Sequence, residues 1–503
     1  MVKKQIALIV LDGWGYREET KDNAIAQANK PIFDALWKKY PHTTLKASGM
    51  AVGLPEGQIG NSEVGHMAIG AGRIIYQDLV RINNAITSGE FKKIPAFLDL
   101  FEHVKKNNST LHVGGLVSPG GIHSHISHLF AFLETAKENG IEKIAIHVIT
   151  DGRDTPPQSG ASYIKELENF IEKLGVGEIA SVSGRLYAMD RDKRWERLAL
   201  AEKGIYDGAG PICNIKPSLY VENLYKENKI DEHLEPFVCL RKDGTTFTLN
   251  KGDGFFLFNF RDDRMRMLTH NILAKPKEDN LSLVTMTKYG KEFDCPIAFS
   301  PIEVTETLGK VISDNGLTQV HIAETEKFAH ATYFLNCERE IPYKNEERIL
   351  IQSPKNVLTY DLAPKMSASG VADAAIEQVK KGTDFIFINF ANADMVGHTS
   401  VVPSIIIAIE EIDRELGRIL EALDTTGGIA CITADHGNAE INIDKNTGIK
   451  NTAHSTSLVP FIITDMIGTL HEGTLADVTP TILHLYELSQ PKEMTGKNLI
   501  DIK

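Results

Sequence analysis

The chain is poor in cysteine: five in 503 residues (Cys213, Cys239, Cys295, Cys337 and Cys431), none in a Cys-x-x-Cys pair. That scatter excludes a disulfide framework and predicts free thiols in a reducing compartment. Long apolar runs are missing too, so no segment reads as a membrane span. The basic start and the short apolar run behind it are broken by Asp12, and no small-residue cleavage site follows. This stretch is therefore expected to be a buried strand rather than a signal peptide, and the protein to be cytoplasmic. Positive charge is not in excess either. A formal net charge of −13, with no long Lys/Arg block, argues against a nucleic-acid partner. Repeats and low-complexity segments are absent.

What is present is an ordinary globular composition, 42% hydrophobic and 24% charged, in a chain longer than one core usually holds. Short apolar runs alternate with amphipathic helical stretches. Expected strands are Ile6–Leu11, Leu111–Leu116, Ile144–Ile149, Gly254–Phe260, Leu281–Met286, Phe385–Phe390 and Ile429–Thr433. Ala161–Leu174 and Ser404–Leu423 carry helical spacing. The alternation predicts an α/β fold with largely parallel sheets covered on both faces. Polar residues follow the strand ends: Asp12, Asp151, Arg261, Asp394 and Asp435. In open α/β sheets that is where ligands bind.

Two groups of chemical residues lie at opposite ends of the chain. The front group is Asp12 in LDGWG and Ser62 in GNSEVGH; the back group is Asp394 and His398 in NADMVGH, Asp435 and His436 in TADHGN, and His454 in TAHST. Carboxylates and imidazoles without a thiolate suit a catalytic pair of Mn²⁺, Zn²⁺ or Mg²⁺ better than a structural zinc, and the oxygen-rich set favours Mn²⁺. Asp394 and His398 are four apart, on one side of a helical turn. Ser62 has two readings: a helix N-cap with Glu63 in the first turn, or a hydroxyl at a helix N-terminus where phosphate is favoured. A serine needs a base or a metal to become a nucleophile, and the side chain of Asn61 beside it is then expected to donate a hydrogen bond to the phosphate.

If the two ends meet, residues 1–76 and 302–503 form one discontinuous domain, and 80–298 form an inserted one. The joints at 77–79 and 299–301 are then natural hinges. Residues 332–357 look like an irregular surface excursion. The middle stretch carries His123, Arg153 and Asp154, Arg185 and Arg191, and Arg261 and Arg264. Clustered arginines point to a small acid bearing carboxylate and phosphate, although single arginines are more often surface ion pairs. Asp154, in a proline-stiffened loop, has the setting of a general base, and Lys327 in TEKFAH that of a charge neutraliser.

Taken together, LDGWG, GNSEVGHMAIGAGR, GGIHSH, TDGRDTPP, SGRLYAMDRDKRW, NFRDDRMR, TEKFAH, NADMVGH, TADHGN and AHST resemble, in order and along the whole chain, the cofactor-independent (2,3-bisphosphoglycerate-independent) phosphoglycerate mutases. The resemblance implies an alkaline-phosphatase-like doubly wound sheet with an inserted second α/β domain. It implies one metal on Asp394, His398 and His454, and another on Asp12, Ser62, Asp435 and His436. Ser62 would carry the phosphoryl group. His123, Arg153, Asp154, Arg185, Arg191, Arg261, Arg264 and Lys327 would hold phosphoglycerate, with no bisphosphoglycerate required. A monomer is expected. The alternatives are a metal-dependent phosphatase or a phosphopentomutase of the same superfamily, or, from another class, a catalytically silent metal-binding scaffold.

Overall fold

The computed structural model describes residues 4–241, 243–445, 447–466 and 468–501; the basic start at residues 1–3 lies outside them. The chain divides into two compact units, one of Met1–Gln77 with Glu303–Lys503, the other of Asp78–Ile302. Each has its own eight-stranded sheet and its own hydrophobic core.

The first unit is built around Ile6–Leu11, whose six residues are all fully buried. A strand that is apolar on both faces must be covered on both, and here helices provide the cover. The strand pairs in parallel with Phe385–Phe390 on one side and Ile429–Thr433 on the other. Gln319–Glu324 pairs in parallel beyond Phe385–Phe390. Four neighbouring strands therefore end on the same edge of the sheet. Asp12 follows the first directly, Asp394 and Asp435 lie within a few residues of the next two, and Lys327 follows the fourth. Val459–Ile463 and His42–Lys46 extend the sheet with antiparallel pairings.

In the second unit, Gly254–Leu257, Leu111–Leu116, Ile144–Thr150 and Glu178–Gly184 are parallel neighbours. Their ends lead into the segments that carry Arg261, His123, Asp151 and Arg185 respectively.

Two expectations need correction. Gly254–Phe260 is a strand only to Leu257, because Asn259 leaves the ladder and its Oδ1 accepts from the amide of Leu116 at 2.9 Å. Residues 332–357 are not a mere excursion, since Glu346–Ile351 is the edge strand of the first sheet, paired in parallel with Gln319–Glu324. Its charged residues hid it, and charges are what an exposed edge strand needs to resist pairing with other chains. The expected helices are present as Gly160–Leu174 and Val402–Thr426.

Helix Ser62–Ala71 packs closely on its surroundings, and glycine allows the approach. A Cβ at Gly70 would sit 1.8 Å from the Leu335 carbonyl oxygen. We therefore expect Gly70→Ala to lower the urea midpoint by the equivalent of about 1–3 kcal/mol, since backbone must move to admit the methyl. An unchanged midpoint would show that the helix has slack.

Candidate functional site

In the first unit, the residues from the two ends of the chain converge on Ser62. Asn61 is the cap of the helix, its side-chain oxygen accepting from Val64 N at 3.1 Å, so Ser62 is the first helical residue and its hydroxyl is not used as the cap. That hydroxyl lies 2.9 Å from His436 Nε2, 2.8 Å from Lys327 Nζ and 3.4 Å from Asp12 Oδ1. Lys327, itself buried, also reaches Asp12 Oδ1 and Asp394 Oδ2, each at 2.6 Å. Asp12, Asp394 and Asp435 are buried as well; two of them pair with the Lys327 ammonium and the third acts on it electrostatically.

The electrostatics follow from that crowding. Burial and the neighbouring Asp435 push the Asp12 carboxyl above its usual value, with Lys327 pulling the other way. For Asp394 and Asp435 burial also pushes upward, but it is outweighed, chiefly by Lys327 at Asp394 and by His436 and His66 at Asp435, so both stay ionised. Burial alone would lower the Lys327 ammonium, but the carboxylates around it raise it well above the ordinary lysine range. Lys327 is a fixed cation and a hydrogen-bond donor, not a base.

The imidazoles are oriented by their far nitrogens. Nδ1 of His398 lies 2.7 Å from the Thr452 carbonyl, that of His454 2.8 Å from the Gly60 carbonyl, and that of His436 3.3 Å from the Gly437 carbonyl. A carbonyl only accepts, so each Nδ1 carries the proton and each Nε2 turns toward the carboxylates. His398 Nε2 and His454 Nε2 stand 3.3 and 3.2 Å from Asp394 Oδ1. His436 Nε2 stands 3.5 Å from Asp435 Oδ2.

Does this arrangement fit divalent cations? Asp394, His398 and His454 bring one donor atom each within 4.8 Å of one another, as do Asp12, Asp394 and His436. Asp435 Oδ2 is buried with no hydrogen-bond donor. An unpaired carboxylate oxygen among excess negative charge is costly without a cation. The residues fit.

Three supporting residues were missed in the sequence. His66 stands one helical turn after Ser62, its Nδ1 2.8 Å from the Ser62 carbonyl and 3.3 Å from Asp435 Oδ2; with Asp12 and Asp435 it forms a further donor cluster. Asn389 donates to Asp12 Oδ2 at 2.9 Å, and Asn438 to Asp394 Oδ1 at 2.7 Å. The i, i+4 spacing from Ser62 was a usable signal for His66; the two asparagines had none beyond lying near strand ends.

In the second unit, Arg185 is almost fully buried and organises the site. Its Nη1 donates to Asp151 Oδ1 at 2.6 Å and Asp154 Oδ2 at 2.7 Å, and its Nη2 to His123 Nε2 at 2.9 Å. His123 must then accept at Nε2. Burial and the Arg185 charge push its imidazole down to about 4, so the ring is neutral at ordinary pH. Ser118 donates to Asp151 Oδ2 at 2.7 Å, a support the sequence did not advertise. Arg191 and Arg261 share Asp263, at 3.0 and 3.1 Å.

A cavity of about 260 Å³ opens beside Arg185, with Arg153, Arg191, Arg264 and the unanticipated Arg197 in its wall. Burial, then the charges of Arg185, Arg191 and Arg153, lowers the Arg264 guanidinium. Guanidinia crowded in this way favour an anionic ligand. Arg261 is not in the wall of this cavity; it is linked to Arg191 through Asp263.

The model of the Metalloenzyme superfamily matches residues 4–490. A 2,3-bisphosphoglycerate-independent phosphoglycerate mutase of Listeria innocua serovar 6a is 48% identical over 513 residues, covering 99% of this chain and 100% of that protein. The protein of the same name from Listeria monocytogenes serotype 4b is equally similar. A solved structure of Leishmania mexicana phosphoglycerate mutase at low cobalt concentration is 28% identical with a TM-score of 0.58, covering 100% of this chain and 98% of that one.

The site makes a pH prediction with two opposite slopes. The ring of His398 is raised above the ordinary imidazole value by its hydrogen bond to Asp394. For His454, burial opposes the rise but the same carboxylate prevails. Without metal, these pairs stabilise the fold below the unfolded imidazole value of about 6.5, and the contribution is lost as pH rises through the raised values. Metal must displace those protons, so affinity for Mn²⁺ should weaken from about pH 8 to about pH 6. Thermal melts and calorimetric titrations across that range test both slopes; pH-independent metal affinity would contradict the arrangement.

Proposed function

The chain belongs to the metalloenzyme superfamily and, within it, to the 2,3-bisphosphoglycerate-independent phosphoglycerate mutases, and we propose that it interconverts 3-phosphoglycerate and 2-phosphoglycerate through a phosphoserine on Ser62. Its activity is that of a phosphoglycerate mutase, an isomerase. The observation that carries the phosphoserine route is the Ser62 hydroxyl, buried at a helix start and within 2.9 Å of both the Lys327 ammonium and the His436 ring.

In this reading Asp394, His398 and His454 hold one divalent cation, and Asp12, Ser62, Asp435 and His436 the other, most reasonably Mn²⁺ given donors without thiolate. When bound, such cations supply charge neutralisation at the phosphoryl oxygens and a lowered pKa at the serine hydroxyl. The chain does the rest. Ser62 Oγ attacks phosphorus as the ester bond to the glycerate oxygen breaks, and the serine proton ends on that departing oxygen. Lys327 donates to the phosphoryl oxygens, a fixed positive charge where negative charge develops. The resulting glycerate is retained by the arginines of the second unit. Arg185, held in place by Asp151 and Asp154, has an unpaired buried Nε as well as its forked amino groups. Arg153, Arg191, Arg261 and Arg264 are assigned to the carboxylate and phosphate, and His123 to a neutral hydrogen bond. Asp154 is the candidate base that takes the proton of the accepting hydroxyl.

The first unit is thus assigned as the metal-binding, phosphatase-like part, and the second as the glycerate-holding part, with residues 77–79 and 299–301 as hinges. A cytoplasmic monomer acting in glycolysis and gluconeogenesis accords with this reading. No helix among the described residues is long and apolar enough to cross a membrane.

Metal-loaded protein given 3-phosphoglycerate and no bisphosphoglycerate should form 2-phosphoglycerate. Ser62→Ala should abolish that conversion with the melting profile retained, and turnover near the wild-type rate would refute the phosphoserine. Loss of charge-assisted contacts in Arg264→Ala should lower kcat/KM roughly tenfold to hundredfold. If the second unit retains glycerate, the same variant should release more inorganic phosphate per turnover. A phosphatase, by contrast, would release phosphate quantitatively from the wild-type protein.

A further inference from the structure

Two cysteines that the reaction does not use are paired across the edge of the second unit's sheet. Ile212–Cys213 is the last strand of that sheet, and it runs parallel to Phe237–Cys239 with Cys213 directly opposite Cys239. Neighbouring strands lie about 4.8 Å apart, and residues in register put their side chains on the same face. Disulfides bridge Cα separations of about 4.4–6.8 Å, a range that includes the spacing of neighbouring strands. The outer strand is two residues long and has no neighbour beyond it in the sheet, so it is free to take up a small adjustment.

Both residues are buried, but a cavity reaches Cys239. Cys239 lies in the wall of a cavity of about 510 Å³, which Ile215 and Pro217 also line. The Cys213 thiol donates to the Ile215 carbonyl at 3.2 Å, next to that wall. The two sulfurs also differ in character. A hydrogen bond from Cys239 lowers the Cys213 thiol, whereas Cys239 is raised. Cys431 and Cys337 are pushed up to about 12, mainly by burial, and Cys295 is raised as well.

We infer that Cys213 and Cys239 are a reversible dithiol–disulfide site, oxidised by a hydroperoxide and closed into a staple across the edge of the second sheet. The Cys213 thiolate attacks one peroxide oxygen and the O–O bond breaks. The leaving oxygen takes up the proton that Cys213 gave up, and a sulfenic acid is left on Cys213. Cys239 sulfur then attacks Cys213 sulfur; the S–S bond forms, the S–O bond breaks, and water leaves with the Cys239 proton. With hydrogen peroxide, two electrons pass from the two thiols and two waters are formed. Because the staple closes the loop of residues 214–238, it restricts the unfolded chain and should raise the melting temperature of the oxidised protein.

The test uses the full-length, metal-loaded protein treated with hydrogen peroxide, denatured in N-ethylmaleimide and mapped by peptide mass. The expected result is a cross-linked peptide carrying Cys213 and Cys239, lighter than the two thiols by two hydrogens and restored by dithiothreitol. Cys295, Cys337 and Cys431 should remain fully alkylated, and mutase activity in Cys213→Ser should match wild type. Full alkylation of Cys213 and Cys239, or their oxidation at the rate of Cys431 without a cross-link, overturns the proposal. In Cys239→Ser, dimedone should trap the sulfenic acid on Cys213; its absence there would overturn the assignment of Cys213 as the attacking sulfur.

Discussion

Three buried carboxylates meeting one buried ammonium is the constraint on which the first unit depends. Asp12 and Asp394 both contact Lys327, with Asp435 near enough to act on its ammonium electrostatically, and a single cation cannot neutralise three anions in a medium that solvates them poorly. The sheet holds them there because they sit just beyond the ends of three adjacent parallel strands whose every residue is buried. Folding energy from those strands supports an arrangement that the charges alone would disperse. The remaining negative charge is the physical basis for cation binding, and the same charge locks Lys327 in its protonated form.

The polar residues around this core set its orientation more than its charge. His398, His436 and His454 face the carboxylates with one nitrogen and are tied at the other to a backbone carbonyl, which settles the tautomer before any ligand arrives. Asn389 and Asn438 donate to Asp12 and Asp394, and His66 stands 3.3 Å from Asp435 Oδ2. Gly13 lets the chain turn at Asp12: it has a positive φ of 76°, and a Cβ there would lie 2.7 Å from the Asp394 backbone. The second unit applies a related logic with opposite sign. There Arg185 is anchored by two carboxylates and a neutral histidine, and an arginine-rich cavity opens beside it.

Much of this was legible in the linear sequence, and the reasons are local. Strands buried on both faces announce themselves as unbroken apolar runs, so Ile6–Leu11, Leu111–Leu116, Phe385–Phe390 and Ile429–Thr433 have the same limits in sequence and structure. Glycine-flanked acids and histidines just after such runs mark the ligand edge of an α/β sheet. Edge strands are harder to read. Glu346–Ile351 opens with three charged residues, Glu346, Glu347 and Arg348, before three apolar ones, so it shows neither an unbroken apolar run nor a period-two pattern, and it passes for a loop. His66 looked like one more helical residue, because what distinguishes it is its contact with Asp435, far away along the chain.

Residue chemistry and order along the chain therefore determined the fold class, the donor types and the kinship with the mutases, since these depend on short-range pattern. Three-dimensional packing alone decided which donors cluster together, which nitrogen of each ring faces inward, and that Lys327 reaches both Ser62 and Asp394. It also decided that Asn61 rather than Ser62 caps the helix, so the serine hydroxyl meets His436 and Lys327 instead. Those outcomes turn on distances between segments remote in sequence, and hydrogen bonds and charge pairing act over a few ångströms of space, whatever the separation along the chain.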